Sequence, residues 1–453
     1  MPKKRPARNQ VFNKTVLAWS LWDWGSAAFN AVATTFVFSV YLTTDGLFTD
    51  KDSASSALGI GLTVAGIAIA LMAPITGQRA DRKGRGTLWL GINTYLVVVL
   101  TAAMFFVRPE SPLGPVGALW LGIALLGLGN VFFEFASVNY NAMLGRISTP
   151  ETMGRVSGLG WGSGYVGGIV LLLILFVGFI QPEVGWFGVT STDGLNIRVA
   201  MVVAALWFGL SALPVLLTVR GRKVAGSEFE TGRESIITSY KLLWGTVKRL
   251  WKEAPHTVFF LLASAVFRDG LAGVFTFGAV IGRGTFGFSA GEVLIFGVAA
   301  NVVAGIATIA FGALDDKLGP KRVIIISLVS MVLSGLAVFI FHDGGPIMFW
   351  IFGLILCVFV GPAQSASRSF LARVIPAGRE GEVFGLYATT GRAVSFLAPM
   401  LFTVSITVGK IFTPAGESAQ HWGILGIALI LLLGLVMMLP VKAEKAHLDS
   451  FND

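Results

Sequence analysis

Apolar residues in this chain run in twelve long blocks that are separated by short polar segments. An α-helix needs about 20 mainly apolar residues to cross the hydrocarbon core of a bilayer, and each block reaches that length. The pattern therefore predicts an all-α membrane protein with twelve transmembrane helices. The candidate spans are 16–42, 58–78, 87–107, 117–141, 155–180, 199–219, 257–282, 291–313, 322–341, 347–370, 382–408 and 420–440.

A polar and charged stretch at 220–256 interrupts the series of apolar blocks at its midpoint. It separates residues 1–219 from residues 257–453, and each part holds six candidate spans. We therefore predict two six-helix bundles joined by a linker. Within the linker, residues 235–252 have the apolar spacing of an amphipathic helix that lies on the membrane surface.

The composition supports a membrane environment, because the chain is 54% hydrophobic and only 13% charged. A soluble protein carries about 25% charged residues, so this chain has too few polar side chains to coat a water-exposed surface. The net charge of +9 could indicate nucleic-acid binding. We expect no nucleic-acid partner, because the cations follow the membrane topology instead.

Lys and Arg are concentrated in every second loop. If the N-terminal tail is cytoplasmic, 26 of the 34 cations fall in cytoplasmic segments and five fall in exterior segments. Cytoplasmic loops of membrane proteins are enriched in Lys and Arg. The distribution predicts that both termini are cytoplasmic, in a multi-pass protein of the plasma (inner) membrane that is surrounded by membrane lipids.

The two halves repeat a short motif of Gly, three residues, Asp, a cation, one residue and Gly. It begins at Gly77 between the second and third spans and again at Gly312 between the eighth and ninth, with an offset of 235 residues. A second repeated segment opens the fifth span after Pro150 and the eleventh span after Pro376. Parallel six-helix repeats are typical of major facilitator transporters.

The motif at Gly77 resembles the signature loop of the major facilitator superfamily. In that superfamily the Asp pairs with a cation and with the positive N-terminal end of a helix in the other half. The resemblance implies that Asp81 and Asp316 are latches that part and re-form during transport, with Arg82 and Arg85 as the gating cations beside Asp81. The alternative is a basic loop that only sets topology.

A narrower resemblance covers most of the chain. The segments that carry it begin at Trp19, at Asn141, at Gly158 and at Gly361, where the last reads Gly-Pro-Ala-Gln-Ser-Ala-Ser-Arg-Ser. They resemble the bacterial "unknown major facilitator" family, which is related to fungal vacuolar amino-acid effluxers. The resemblance implies transport of amino acids or another small organic solute.

Two carboxylates stand inside spans of the N-terminal half. Asp23 and Asn30 share a polar stripe in the first span, and Glu134 lies on a polar stripe of the fourth span. Charges at membrane depth usually face a cavity or a partner. We predict that both stripes line a shared cavity and that Glu134 or Asp23 carries a coupling proton; the alternative is that the stripes only pack against neighbouring helices.

The C-terminal half contributes intramembrane arginines. Arg268 and Asp269 are adjacent in the seventh span, and Arg392 of the eleventh span is a candidate partner for Asp269. Because guanidinium groups bind carboxylate and phosphate well, Arg268 and Arg392 could form an anion site for the substrate. The alternative is a salt bridge that only holds the bundle together. Arg368, near the end of the tenth span, is predicted to be a gate residue.

Further aromatic and amide side chains are candidates for the cavity wall. An apolar wall would suit an amphiphilic substrate, whereas packing between helices is the simpler interpretation. The candidates are Trp19, Trp22, Trp161, Tyr165, Asn301 and Gln364.

These features predict a proton-coupled secondary transporter that acts as a monomer on an amino acid or other anionic metabolite. The alternative substrate is an anionic amphiphile such as a lipid or lipid-linked precursor. The sequence contains neither a Gly-x-x-x-x-Gly-Lys-Ser/Thr loop nor a His-Glu-x-x-His motif. We therefore expect no ATP drive, no cofactor, no metal site, no catalytic residue and no enzymatic activity.

Overall fold

The computed structural model describes residues 11–44, 46–219, 236–288, 290–375, 379–414 and 419–442. Among these residues, twelve helices are long and apolar enough to cross a membrane, which confirms the twelve predicted spans. They are named α1 to α12 in chain order: Lys14–Leu42, Ala57–Ala80, Gly86–Phe106, Gly114–Ile147, Met153–Ile180, Thr192–Thr218, Pro255–Gly282, Ile295–Leu318, Pro320–Ile340, Pro346–Val374, Glu380–Gly409 and Gln420–Met438.

The buried apolar side chains form two hydrophobic cores. One contains residues from Val11 to Val219 and lies among α1 to α6. The other contains residues from Leu250 to Val441, together with a few side chains of α2 and α4 such as Ile69. A helix at Ile236–Glu253 lies where the amphipathic segment is predicted, and we call it the linker helix. Residues 220–235 lie outside the described part of the chain, so the division into two bundles stays a prediction.

The seam between α5 and α8 is built from glycines. Gly154, Gly158 and Gly162 repeat every four residues along α5 and so form one stripe. A Cβ atom added at Gly158 would lie 2.6 Å from the carbonyl oxygen of Thr308 and 3.2 Å from Cα of Gly312. Small residues at this spacing let the two backbones touch, as in other membrane helix pairs.

A second seam joins α2 to α11, and a proline contributes to it. Pro74 lies inside α2 and has no N–H, so the carbonyl of Ala70 lacks its usual partner in the helix. The Thr389 hydroxyl of α11 donates to that carbonyl at 2.9 Å. A Cβ atom at Gly385 would lie 2.5 Å from Cα of Pro74, so glycine is needed for this close approach.

Both seams lie at the same end of the molecule, which we call the basic end: there α2, α4, α8 and α10 finish and α3, α5, α9 and α11 begin. The stripes that form the seams continue toward the opposite end through Gly66 of α2 and Gly297 of α8. A Cβ atom added at either glycine would meet no atom within 4 Å in the described part of the protein. The two halves therefore touch at the basic end, whereas free space lies beside Gly66 and Gly297 toward the opposite end, and we call it the open space.

Two spanning helices, α1 and α11, are irregular in their middle parts. The middle of α1, from Ala28 to Phe36, is π-helical. In α11 the α-helical hydrogen bonding stops after Val394 and resumes at Leu397. π-Helical segments in α-helices often mark functional sites, because they shift the register of the side chains that follow.

The glycine seam gives a test of the closed basic end. We expect Gly158→Ala to lower the thermal unfolding temperature of the purified protein, because the added methyl group meets the backbone of α8. Overpacking of a tight interface costs about 1–3 kcal/mol. Gly66→Ala is the matched control, since its methyl group would enter the open space and alanine favours a helix over glycine. Equal stability of the two variants would contradict the seam.

Candidate functional site

Arg368 of α10 reaches across the closed basic end into the N-terminal half. Its Nη2 donates to the carbonyl oxygen of Ser157 at 2.6 Å, and its Nε donates to the Ser157 hydroxyl at 3.0 Å. Its Nη1 lies 3.2 Å from Oδ2 of Asp23 and 3.2 Å from Oδ1 of Asn141. One guanidinium group thus bonds to α1, α4 and α5 at once.

The ion pair of Arg368 and Asp23 is enclosed by aromatic rings. The Arg368 side chain is 4% exposed and that of Asp23 is 15% exposed. The Tyr140 hydroxyl donates to Oδ2 of Asp23 at 2.9 Å, and the guanidinium lies 4.8 Å from the centre of the Trp19 ring. A Cβ atom at Gly160 would lie 2.8 Å from Oδ2 of Asp23, so the glycine leaves room for the pair.

This ion pair is one of the buried polar contacts between the two halves. In a low-dielectric setting a charge is stable only when it is paired and hydrogen-bonded. Asp23 and Arg368 satisfy each other only while α1 and α10 are together. The contact therefore stabilises the closed basic end and is lost when the two halves move apart.

A second charged contact surrounds Asp316 at the end of α8. Its Oδ1 accepts the backbone N–H of Gly154 at 2.7 Å, and its Oδ2 accepts the N–H of Arg155 at 3.2 Å. Nε of Arg155 also reaches Oδ2 at 2.7 Å. Asp316 thus caps the positive N-terminal end of α5 in the other half, which is the kind of contact that the resemblance implied.

The structure gives fewer contacts for the other members of the predicted latch. The side chains of Asp81 and Arg82 lie outside the described part of the structure, so their gating role stays a prediction. Arg85 is exposed at the start of α3. The equivalent corner of the second seam is held by the Gln78 amide, whose Nε2 donates to Oε1 of Glu382 at 2.9 Å.

Sequence reasoning missed several side chains at this end. Arg373 bonds to Asp315 at 2.6 Å and to Asp316 at 3.2 Å, and the Ser369 hydroxyl also donates to Asp315. In the sequence, Arg155 and Arg373 are two of the 26 cations assigned to cytoplasmic segments, and no partner is predicted for either. The repeated segments after Pro150 and Pro376 were the available signal, because each opens a helix that makes a seam.

Glu134 and Arg392 meet at the border of the open space. Nη2 of Arg392 lies 3.5 Å from Oε2 of Glu134, and their side chains are 40% and 22% exposed, respectively. They come from α11 and α4, so this contact also joins the two halves. Because both groups are partly exposed, a solute that enters the open space can reach them.

The predicted pairing of Asp269 with Arg392 is wrong. Oδ2 of Asp269 instead accepts the N–H of Ala398 at 2.7 Å, at the point where α11 resumes after its break. A carboxylate stabilises the unsatisfied N–H groups of such a helix start. Arg268 stacks on the Tyr387 ring at 3.6 Å and donates to the Tyr387 carbonyl at 3.2 Å, so it lies against α11.

The predicted wall residues fall into two groups. Trp19 and Trp22 are fully buried and stack on Tyr140 with ring centroids 4.4 and 4.2 Å apart, so packing describes them and neither lines the open space in this structure. Trp161 and Gln364 lie close to Arg368. Within the described part of the chain, the Trp161 indole N–H and the Gln364 Oε1 are buried without a hydrogen-bond partner.

The remaining predicted side chains have ordinary local environments. Asn30 is exposed and lies within the π-helical segment of α1, whose register differs from that of a regular α-helix. The amide of Asn301 donates to the Gly297 carbonyl of its own helix at 2.8 Å. Tyr165 packs at the α5–α8 seam, where its Cβ lies 3.2 Å from the position of a Cβ atom on Gly305.

Solved structures establish the class of fold. A proton:xylose symporter, XylE, superimposes with a TM-score of 0.73 at 14% identity and covers 97% of this chain and 98% of its own. A bacterial homologue of the iron transporter ferroportin in an outward-facing state gives a TM-score of 0.65 at 15% identity, covering 96% of this chain and 98% of its own. The chain has the fold of the major facilitator superfamily, as the sequence predicted.

Sequence comparisons identify the family within that class. The chain belongs to the family described as vacuole effluxer Atg22 like, whose model matches residues 46–450. An uncharacterized MFS-type transporter, YxiO, of Bacillus subtilis is 26% identical over 96% of this chain and 96% of its own length. Autophagy-related protein 22-1 of Neosartorya fischeri is 25% identical over 64% of this chain and 49% of its own length. The chain is therefore similar to about half of that fungal protein.

A double-mutant cycle tests the central ion pair. We expect Asp23→Asn and Arg368→Gln each to lower the free energy of unfolding by about 3–5 kcal/mol, because each leaves one buried charge without its partner. The double variant should lose clearly less than the sum of the two. Chemical unfolding in detergent, followed by tryptophan fluorescence, measures all three.

Arg368→Lys is the control for geometry in this cycle. A lysine ammonium keeps the charge but cannot bond to Asp23, Asn141 and Ser157 at once. We expect it to restore only part of the lost stability. Additive effects of the single substitutions would show that the two side chains do not interact.

Proposed function

We propose that this protein is a proton-coupled secondary transporter that moves an amino acid or other small anionic metabolite by alternating access. The observation that carries the proposal is the contrast between the two ends. The basic end is sealed by the Arg368–Asp23 pair, while Glu134 and Arg392 lie 3.5 Å apart at the border of the open space. A solute can thus reach a carboxylate and a guanidinium while the far side is closed.

We further propose that the basic end is cytoplasmic, in the plasma membrane, and that the monomer is the working unit. The concentration of 26 of the 34 Lys and Arg residues in loops of one side supports this orientation. The structure then corresponds to an outward-open state. The fucose transporter FucP, solved in the outward conformation, has a similar arrangement, with a TM-score of 0.63 at 14% identity. The glycines that border the open space, Gly66 and Gly297, come from the two halves of one chain, which supports two rocking bundles and a monomer.

Glu134 is proposed to carry the coupling proton. Its carboxylate competes with an anionic solute for the guanidinium of Arg392, since an arginine binds one carboxylate best when no second one is present. Protonation of Glu134 removes the competitor and frees Arg392 for the solute. Asp23 is less suited to this role, because Tyr140 and Arg368 already donate to it.

The substrate alternative, an anionic amphiphile, loses part of its support. It depended on the intramembrane arginines and on an aromatic wall that included Trp19 and Trp22, and both tryptophans are buried in the N-terminal core. Arg392, whose side chain is 40% exposed, suits the carboxylate of a small solute. We therefore propose a soluble substrate.

Flux measurements in proteoliposomes test the proposed function. The probes are radiolabelled amino acids and small carboxylates, applied one at a time with and without an imposed pH gradient. We expect saturable flux of at least one label that the gradient accelerates and a protonophore abolishes. Rates equal to those of protein-free liposomes for every label, with exchange of a fluorescent phospholipid between leaflets instead, would overturn the proposal in favour of the amphiphile.

Two substitutions separate the proposed roles of the cavity pair. We expect Glu134→Gln to lose gradient-driven accumulation but to keep exchange of solute between the two sides, because exchange needs no net proton movement. Arg392→Ala should weaken the apparent affinity at least about tenfold, the usual cost of losing a charged hydrogen bond. Arg108→Ala, in an exposed loop, is the control. Gradient-driven accumulation by Glu134→Gln would exclude Glu134 as the proton carrier.

A further inference from the structure

The linker helix, Ile236–Glu253, turns one narrow stripe toward the membrane bundle. Its buried side chains follow one another at intervals of four, three and four residues, which places them on one face of a helix. They are Ser239, Leu243, Thr246 and Leu250. Two members of this stripe are polar, although they face the protein.

These two polar groups bond to arginines from opposite halves. Nε of Arg79, in α2, donates to the Ser239 hydroxyl at 3.1 Å. Nη1 of Arg379, just before α11, donates to the Thr246 hydroxyl at 2.8 Å and also pairs with Glu382 at 3.2 Å. The linker helix therefore bridges the α2–α11 seam beside the bond between Gln78 and Glu382.

A second face of the linker helix is apolar and exposed. Ile237, Trp244 and Trp251 repeat every seven residues, and their exposed fractions are 68%, 62% and 53%. The stripe is continuous with the outer surface of the spanning helices. The Tyr240 hydroxyl donates to the carbonyl of Leu71 in α2 at 2.8 Å, and the Trp251 ring lies 5.7 Å from Phe259 of α7.

Leu71 and Phe259 are themselves exposed apolar side chains on helices that cross the membrane. The surface around them faces lipid, because a bilayer surrounds these helices. The apolar stripe of the linker helix adjoins that surface. Exposed tryptophans at such a position anchor a helix in the interface between the headgroups and the acyl chains.

A third face carries cations next to the apolar stripe. Lys241, Lys248 and Lys252 are exposed, are spaced by seven and four residues, and have Arg249 beside them. Nζ of Lys248 lies 5.6 Å from the centre of the Trp244 ring, so the ammonium group contacts the aromatic ring that anchors the helix. Cations held at the depth of the headgroups attract anionic lipids.

We infer that the linker helix is a binding surface for anionic phospholipid headgroups and that the bound lipid favours the closed basic end. The apolar and cationic faces of the helix lie toward the bilayer, while its buried stripe bonds to Arg79 and Arg379 across the seam. A ligand that binds one conformation better shifts the population toward it. This inference does not depend on which solute the protein carries.

Lipid binding by two double variants, each lacking two cations, tests whether the linker helix binds anionic headgroups. The full-length protein is titrated with phosphatidylglycerol in phosphatidylcholine nanodiscs, and bound lipid is counted by native mass spectrometry. Loss of two interfacial cations in the Lys248→Gln/Lys252→Gln variant should weaken phosphatidylglycerol binding about thirtyfold. The Lys317→Gln/Arg322→Gln variant removes two exposed cations from the same end and should change binding by less than about threefold. Equal loss in both variants, or loss in neither, would overturn the inference.

A separate experiment tests whether lipid bound at the linker helix favours the closed basic end. Thr308 is fully buried in the α5–α8 seam, so a cysteine there reacts with a membrane-permeant maleimide only when the basic end opens. With Thr308→Cys in a Cys357→Ala background, we expect phosphatidylglycerol to slow the labelling. We expect the Lys248→Gln/Lys252→Gln variant to label as fast in phosphatidylglycerol as the unchanged linker does in phosphatidylcholine alone. Labelling rates that are the same with and without phosphatidylglycerol would refute the coupling between lipid binding and closure of the basic end.

Discussion

A charge inside a membrane protein must find a partner, and in this structure Arg368 finds its partners in the other half of the chain. Placing a charged side chain at the centre of a spanning helix costs about 2.5–3.5 kcal/mol or more. Arg368 lowers that cost through Asp23, Asn141 and Ser157, which lie on three helices of the N-terminal half. The requirement to satisfy one guanidinium therefore fixes how α10 meets α1, α4 and α5 at the basic end.

The two seams around this pair show how a repeated sequence can close two corners with different chemistry. In one corner the carboxylate of Asp316 comes from the end of α8 and caps the start of α5. In the other, the carboxylate of Glu382 stands near the start of α11 and the α2 side contributes the amide of Gln78. Both corners place an acid near a helix N-terminus, where the aligned N–H groups stabilise it. The repeat thus preserves the electrostatic principle while the two seams differ in detail.

The sequence predicted the twelve spans and the superfamily, because those follow from the length of apolar runs and from a motif repeated at a fixed offset. It did not predict which side chains meet. The spacing of Asp23 and Asn30 specified a stripe on a regular helix, but the π-helical segment from Ala28 changes the register between them. The partner of Asp269 was missed because a break in α11 creates a helix start that hydropathy does not reveal. Periodicity describes one helix, whereas pairing between helices depends on packing across the fold.

The composition of the seams explains how a closed end can be stable and still open. Glycines at 154, 158 and 385 bring backbones together without burying large apolar side chains. Separating an apolar interface costs roughly 25 cal/mol for each Å² that becomes exposed, so a seam of glycines exposes little that water disfavours. The polar contacts behave differently, because the opening that parts Arg368 from Asp23 also admits water to both charges. Hydrogen bonds to charged groups that exchange for water contribute about 1.5–3 kcal/mol each in net terms. A seal made of small residues and exchangeable polar bonds is thus reversible, which a large apolar interface of equal area would not be.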